Sequence, residues 1–393
     1  MKRLLKYLGT VLIIVTFKSY AQIPQDSVAE NPFKKKKSEI HFPGTFSVQT
    51  DQDYFFHFPA SKNEDRNYTQ GTSLIYSHHK LMKTWLFYPL RIISNRTRPK
   101  QTYSSSLALA ATGFTPRIID SVAPIVGDRP FAFLLYLSTS STFENQKTAK
   151  LSVYNTFTIN YGVLGTNVGY AFQGWAHKHI VKGRPTDPKG WKTQISKGGA
   201  PALLFEYNRF RPLFGSGPKG TVDDRSVFDL GWNLGGSLGY YDRVFTGLYT
   251  RLGHLRNKNQ PRWNGGWSSL TSGSYQMDKP RSRSSKFLNV LEAFVYGKAN
   301  TSLMFRNSML VGQVFGKDIY TLKPDWTKVW LYEFEWGGII AFEHATKKSK
   351  LSGPRTIAVM YRNVYRSPEF DSGIFPVRLH YFGSIGLMFP FFK

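Results

Sequence analysis

No cysteine occurs among the 393 residues, which excludes a disulfide framework, a thiolate zinc site, a thiol nucleophile and a lipid-anchored N-terminal cysteine. Long apolar runs are missing too. Beyond the stretch from Leu8 to Phe17, no window offers the ~18 to 20 consecutive apolar residues that a membrane helix needs. Acidic residues are scarce, 25 against 52 Lys and Arg, for a formal charge of +27. Helical periodicity is almost absent from Phe42 onward.

The N-terminus is a secretory leader. Basic Met1-Lys2-Arg3-Leu4-Leu5-Lys6 precedes the short apolar run, and Ser19 and Ala21 occupy the small-residue positions before Gln22, so cleavage is expected after Ala21. Losing Lys2, Arg3, Lys6 and Lys18 with residues 1–21 lowers the charge from +27 to +23. An exported chain this basic meets anionic surfaces such as phosphorylated lipid head groups rather than nucleic acid. Residues 22–41, with Pro24, Pro32 and the run Lys34 to Lys37, lack apolar periodicity and read as a flexible lead.

What the chain does contain is aromatic and β-branched residues in short runs. Phe, Trp and Tyr make up 16% of it, with 31 Phe and 22 Tyr, and membrane barrels place such residues in strands and interfacial girdles. Mean hydropathy of −0.33 agrees, because polar lumen positions average out lipid-facing ones. The expected fold is all-β: one transmembrane antiparallel β-barrel of about 12 strands over residues 42–393.

Fourteen candidate strands, some of them halves of one strand, fall at Thr45–Phe58, Gly71–His78, Tyr103–Gly113, Phe131–Thr139, Leu151–Tyr161, Ala202–Phe210, Val227–Leu238, Tyr241–Leu252, Phe287–Ala299, Ser302–Val314, Lys328–Glu335, Gly337–Glu343, Thr356–Asn363 and Val377–Phe389. The last, ending near Pro390-Phe391-Phe392-Lys393, reads as the closing strand. Two long interruptions, Thr166 to Pro201 and Gly253 to Lys286, are expected as loops on the outer side, since such barrels keep periplasmic turns short and let outer loops grow.

Asp51, Asp53 and Asp65 are hard oxygen donors suited to calcium or magnesium. Beside a His-bearing loop they permit metal-assisted hydrolysis, with the cation polarising a carbonyl and imidazole deprotonating water; as strand-end residues they serve equally as turn formers. His78 and His79 face opposite sides of a strand and cannot chelate together. One string, Gly235-Gly236-Ser237-Leu238-Gly239, fits a serine-esterase elbow in sequence, but it leads from strand to strand rather than from strand to helix.

Three ordered strings carry a resemblance: Asp65-Arg66-Asn67-Tyr68-Thr69-Gln70-Gly71, Gly127-Asp128-Arg129-Pro130-Phe131-Ala132, and the block Gly162-Val163-Leu164-Gly165 through Gln173, Ala176-His177, Gly190-Trp191 and Gln194. Together, over about Thr45 to Phe210, they resemble the outer-membrane lipid A 3'-O-deacylases. The resemblance implies a twelve-stranded barrel, likewise monomeric, with a calcium-dependent site at its outer rim that hydrolyses the 3'-linked acyloxyacyl ester of lipopolysaccharide. It implies His177 as the general base, Thr69 as the active-site hydroxyl, and Asp51 with Thr50 at the calcium site, with Asp53, Asp65 and Gln173 in support. Thr50 stands where the family has Asn, the pair falls alternatively on Gln52-Asp53, and Gly183 replaces a glutamate found in some members. The other reading is a non-catalytic barrel that binds lipid or passes small solutes.

Overall fold

The computed structural model describes residues 44–52, 70–97, 101–148, 151–179, 188–215, 226–255, 289–314, 318–344 and 355–390. The leader, the lead, Asp53, Asp65, Thr69, Gly183, Trp263 and Trp267 lie outside the described residues.

Twelve antiparallel strands close into a barrel. They are β1 Thr45–Gln52, β2 Gln70–Ser77, β3 Gln101–Phe114, β4 Ala132–Thr148, β5 Leu151–Leu164, β6 Ala200–Gly215, β7 Ser226–Gly239, β8 Tyr241–Leu255, β9 Asn289–Asn307, β10 Trp330–His344, β11 Arg355–Arg366 and β12 His380–Pro390. Each strand pairs with its sequence neighbour, and β12 closes on β1 with Thr45 opposite Pro390 and Gln52 opposite Gly383. Closure removes the free edges that an open sheet leaves in hydrocarbon. Among the described residues no helix is long and apolar enough to cross a membrane.

The expected candidates merge where a polar residue or glycine interrupts a run without ending it. Phe287–Ala299 and the first part of Ser302–Val314 form one strand, β9, and the two candidates around Trp336 form β10.

Alternation sorts side chains between lipid and lumen. Leu74, Leu109, Val163, Leu203, Leu248, Val295, Ile340, Val359 and Leu387 point outward and are exposed, Leu203 by 60%. The inward set is buried and packed across the lumen, where Leu134, Tyr136, Leu204, Tyr240, Met304 and Val364 share one apolar cluster. Charges fill the remaining lumen in pairs. Arg243 meets Glu206 at 2.8 Å, Arg366 meets Glu333 at 2.8 Å, Arg362 meets Asp51 at 3.1 Å, and Arg251 pairs with Asp229. Buried charges persist only when paired, so these contacts are required by the lumen rather than optional to it.

An even number of strands brings both termini to one end of the barrel, here called the terminal rim; the other is the far rim. Connections alternate between them. The segment Thr166 to Pro201 therefore leaves and returns at the far rim, whereas β8 ends and β9 begins at the terminal rim, where β1 begins and β12 ends. The expectation that both long segments share the outer side is corrected on this point. Hairpin parity overrides loop length, because a connection that follows an even-numbered strand returns to the end where the chain began.

Among the described residues three connections carry helical turns, against the expectation of loops alone: short ones at Ser308–Val311 and Pro324–Trp326 between β9 and β10, and two longer excursions from the wall. At the terminal rim two 3-10 turns, His79–Lys83 and Trp85–Phe87, lead into α1, Tyr88–Thr97. At the far rim the β5–β6 connection carries α2, Val168–His179, and a 3-10 turn, Lys189–Thr193. Both pack on the outside of the barrel, against rings that point toward lipid.

Candidate functional site at the far rim

The far-rim excursion is fastened to the wall through backbone and rings. Gly165 donates to the carbonyl of Phe133 at 2.8 Å and Ile195 to that of Phe131 at 2.9 Å, so the connection leaves and returns as an extension of the sheet. Gly165 has a φ of 89°, and a Cβ there would stand 1.9 Å from the carbonyl oxygen of Ser196; both the left-handed backbone and the close approach require glycine. Between these ends, Phe131 and Phe133 are covered by Trp191, with ring centroids 5.0 and 6.2 Å away. Helix α2 lies directly on Phe133, since a Cβ at Gly169 would come within 2.7 Å of that ring.

A polar seam runs beneath this roof. Gln173 is buried on α2, and its Oε1 accepts from Trp191 Nε1 at 2.7 Å. Its Nε2 is buried with no hydrogen-bond partner among the described residues. Gln194 Nε2 donates to the carbonyl of Thr166 at 3.3 Å, and Gln194 Oε1 is likewise unpartnered. Orphaned amide atoms cost about 1–3 kcal/mol each, so they persist where another partner is expected. One helical turn beyond Gln173, on the same face, stands His177, half-buried. The opposite flank of α2 exposes Val168, Phe172 and Trp175, an apolar surface at the lipid-facing rim.

The wall beside α2 extends the seam. Gln52, Gln70, Gly113 and Phe133 form one continuous rung across β1 to β4, and alternation puts all four on the outer face. Gln70 is nonetheless buried, with Gly113 leaving the space beside it that Phe133 occupies. Thr50 and Thr72 form the next outward pair, two residues deeper.

The pleat separates two residues expected as joint metal ligands. Thr50 faces outward and is half-buried; Asp51 faces the lumen, 1% exposed, its carboxylate taken by Arg362 Nη2 at 3.1 and 3.2 Å and by Gln49 Nε2 at 3.2 Å. Among the described residues no group of three or more His, Asp or Glu side chains is placed to hold a metal. The outward positions of β1 to β3 offer amide and hydroxyl oxygens but no carboxylate. That set does not fit a calcium ion, which takes six to eight oxygens and is held by carboxylates. The structure thus brings Gln173 and His177 together and sets Asp51 apart from them, while Thr69, Asp53 and Asp65 fall in the connection outside the described residues.

The Gly-Asp-Arg string does a different job. Tyr320 Oη accepts from Gly127 N at 2.8 Å and donates to the carbonyl of Asp128 at 2.9 Å, the Asp128 carboxylate accepts from Arg117 N at 2.8 Å, and Arg129 enters the barrel mouth to pair with Glu369, which also receives Asn307 Nδ2 at 3.1 Å. Burial pushes the Arg129 guanidinium down to about 9, which leaves it charged at neutral pH. Burial likewise raises the Tyr320 hydroxyl. At the exposed edge of the same rim, hydrogen bonds from Lys328 and the Gly373 amide hold Asp371 below the usual carboxylate range. This clasp ties three far-rim connections over the lumen. Sequence reading noticed the string but not its partners, which come from residues about 190 to 240 positions away.

Other sequence candidates resolve as structural. Ser237 is buried in the lumen, donating to the carbonyl of Tyr241 at 2.8 Å and accepting from Arg243. His78 Nδ1 caps the first 3-10 turn by accepting from Lys80 N at 3.0 Å. Trp191 is a buried pillar against Phe131 and Phe133.

Comparison with known proteins agrees with this geometry. The family model of outer membrane protein LpxR matches residues 11–391, and the chain belongs to that family, the lipid A 3'-O-deacylase family its sequence strings resemble. LpxR from Salmonella typhimurium superposes with a TM-score of 0.62 at 16% identity, over 88% of this chain and 100% of that one, and at that identity it attests the fold. A TodX monoaromatic hydrocarbon channel deltaS2 mutant gives a TM-score of 0.27 at 8% identity, over 89% of this chain and 91% of that one, and carries no argument. None of the curated proteins matches. The family match extends well beyond the Thr45 to Phe210 stretch that holds the strings, and it fixes the location as the outer membrane.

Proposed function

We propose that this member of the LpxR family is a lipid A deacylase, hydrolysing the 3'-linked acyloxyacyl ester of lipopolysaccharide in the outer leaflet. The observation that carries the reading is the position of α2. It lies outside the barrel wall with its apolar flank toward lipid, and its inner face holds the buried, part-satisfied amide of Gln173 four residues before His177. A lipid ester reaches such a cleft laterally from the membrane, without entering the lumen.

In this reading His177 takes a proton from water, and the water oxygen attacks the ester carbonyl. The orphaned Gln173 Nε2 is a donor available to the developing oxyanion, in a site where low dielectric strengthens that bond. Collapse of the tetrahedral intermediate expels the sugar alkoxide, which recovers the proton from the imidazolium, leaving a free acyl chain and a sugar hydroxyl. Thr69, next to Gln70 at the end of the outward rung, is assigned the hydroxyl that orients water or ester. Calcium would polarise the carbonyl when bound; the outward oxygens of Thr50 and Gln52 are neutral, and its carboxylates would come from Asp53 and Asp65 in the adjoining connection.

Of the competing reading, a non-catalytic barrel that binds lipid or passes small solutes, the described lumen speaks against solute passage. Inward positions are packed against one another and their charges are paired across it. Mass spectrometry of lipid A from cells expressing the protein, with and without a calcium chelator, tests the proposal. The expected result is loss of the 3'-linked acyl chains that depends on His177; an unaltered lipid A profile in calcium-replete cells overturns it.

A further inference from the structure

The terminal-rim excursion has no part in that chemistry, yet it is built with equal care. His78 to Lys100 contains no acidic residue and six Lys or Arg: Lys80, Lys83, Arg91, Arg96, Arg98 and Lys100. Its inner side is apolar. Leu81, Phe87 and Leu90 bury against Phe143 and Phe157, with Tyr76, Leu107, Ile159, Phe205 and Tyr207 around them. Alternation places these wall residues on the outer face, and the Ser141 hydroxyl on the same face donates to Met82 Sδ at 3.1 Å. The segment therefore lies along the outside of the barrel, over positions that would otherwise meet lipid.

Its outer side is aromatic and basic. Trp85 is 79% exposed and Tyr88 58% exposed, with Ile92 beside them. Lys80 and Lys83 are exposed, and the Arg91 guanidinium sits 5.5 Å from the Tyr88 ring centroid. The fold itself holds this arrangement in place. The Thr84 hydroxyl donates to the carbonyl of Leu81 at 2.7 Å, Arg91 Nη1 donates to the carbonyl of Lys83 at 3.3 Å, and Pro89 opens α1 where a missing N–H costs nothing. Exposed Trp and Tyr next to unopposed cations, on a surface that continues directly into exposed Leu74, Leu109 and Leu203, match a membrane–water boundary, where ring bodies sit among acyl chains and cations meet phosphates.

We propose that residues 78–97 form a binding site for anionic phospholipid head groups, in the leaflet at the end of the barrel that carries both termini. Lys80, Lys83 and Arg91 bind the phosphate, while Trp85 and Tyr88 lie among the upper acyl carbons. Charge complementarity selects the ligand, for no carboxylate on the segment competes with the phosphate. The site also fixes the depth of the barrel by marking the lower edge of the exposed wall.

Native mass spectrometry of the full-length mature barrel, released from mixed micelles of phosphatidylglycerol and phosphatidylcholine, tests this. Wild-type protein is expected to retain phosphatidylglycerol preferentially. The variant K80Q/K83Q/R91Q should reduce that preference about a hundredfold, since each of the three cations near an anionic surface contributes about fivefold. A control, K192Q/K197Q/K323Q, removes three far-rim cations and should keep the preference. Equal retention by wild type and K80Q/K83Q/R91Q, or an equal loss in the control, overturns the site in favour of diffuse charge. A second measurement uses the intact surface: in vesicles, brominated phosphatidylglycerol should quench a component of tryptophan emission that is missing from Trp85→Phe, and brominated phosphatidylcholine should quench it less. No difference between the two lipids also overturns the proposal. An acidic protein partner that binds the segment in place of lipid is then the reading left standing. Deacylation is read separately, so the two proposals fail independently.

Discussion

The two helical excursions invite comparison because they solve one packing problem in different ways. Each covers outward-facing rings of the same wall, Phe143 and Phe157 at the terminal rim, Phe131 and Phe133 at the far rim. The terminal one fills its interior with Leu81, Phe87 and Leu90 and sends its cations outward. The far one puts two glutamine side chains inside, leaves an atom of each without a partner among the described residues, and turns its exposed flank to lipid. A buried polar atom without a partner is a cost that the terminal excursion avoids and the far one accepts. The difference separates a surface built to sit in the boundary from one built to receive a polar group.

Substitutions can break this contrast, and the largest effect is expected at His177. His177→Ala should lower deacylation by about 10²- to 10⁴-fold, the usual worth of a positioned acid–base group, with the barrel's thermal shift on gels unchanged; undiminished turnover would refute its role as base. Next come the pillars. Trp191→Ala and Phe87→Ala should each cost about 3–5 kcal/mol of local stability through the cavity left behind. Limited proteolysis and lipid A analysis should then diverge, with Trp191→Ala losing activity as α2 detaches and Phe87→Ala retaining it. If Phe87→Ala abolishes activity as well, the two excursions are not functionally distinct.

Asp51 permits a comparison of lumen with outer face. Asp51→Asn removes the carboxylate nearest the Arg362 guanidinium, which keeps Glu335 at 3.9 Å and Ser384 at 2.9 Å, and should destabilise by less than the ~3–5 kcal/mol of a fully unpaired buried charge, measured by urea unfolding from vesicles, and the double variant D51N/R362M should recover most of that loss. Activity in the stable double variant then reads whether Asp51 is solely a counter-ion. Gln173→Leu should cost about 1–3 kcal/mol by leaving Trp191 Nε1 without an acceptor, and its lipid A product should fall more than its stability does. The smallest effect concerns Asp371. Its pKa in the folded protein lies below the ordinary 3.8, so its contribution is present above that value and fades as pH falls through the lowered one. Thermal melts of wild type and Asp371→Asn should therefore converge below about pH 3.8.

The sequence by itself determined the fold class. The lack of long apolar runs narrowed the choice to strands, and the short aromatic runs and a closing strand with Phe389 express a period of two, which is local. It also supplied the strings around Thr69 and His177, which lead to the right family. Parity of the long connections was misread from loop length, although counting eight candidate strands before Gly253 assigns the end of the eighth to the terminal rim.

Only the tertiary structure decided the rest, because it depends on contacts between residues remote in sequence. Nothing near Asp51 announces Arg362, 311 positions away, so the side of the wall its charge serves appears only when the barrel closes. The helical form of Val168–His179 was hidden for a related reason. Its apolar residues face two surroundings, Phe133 on one side and lipid on the other, so no single apolar stripe marks it as a helix.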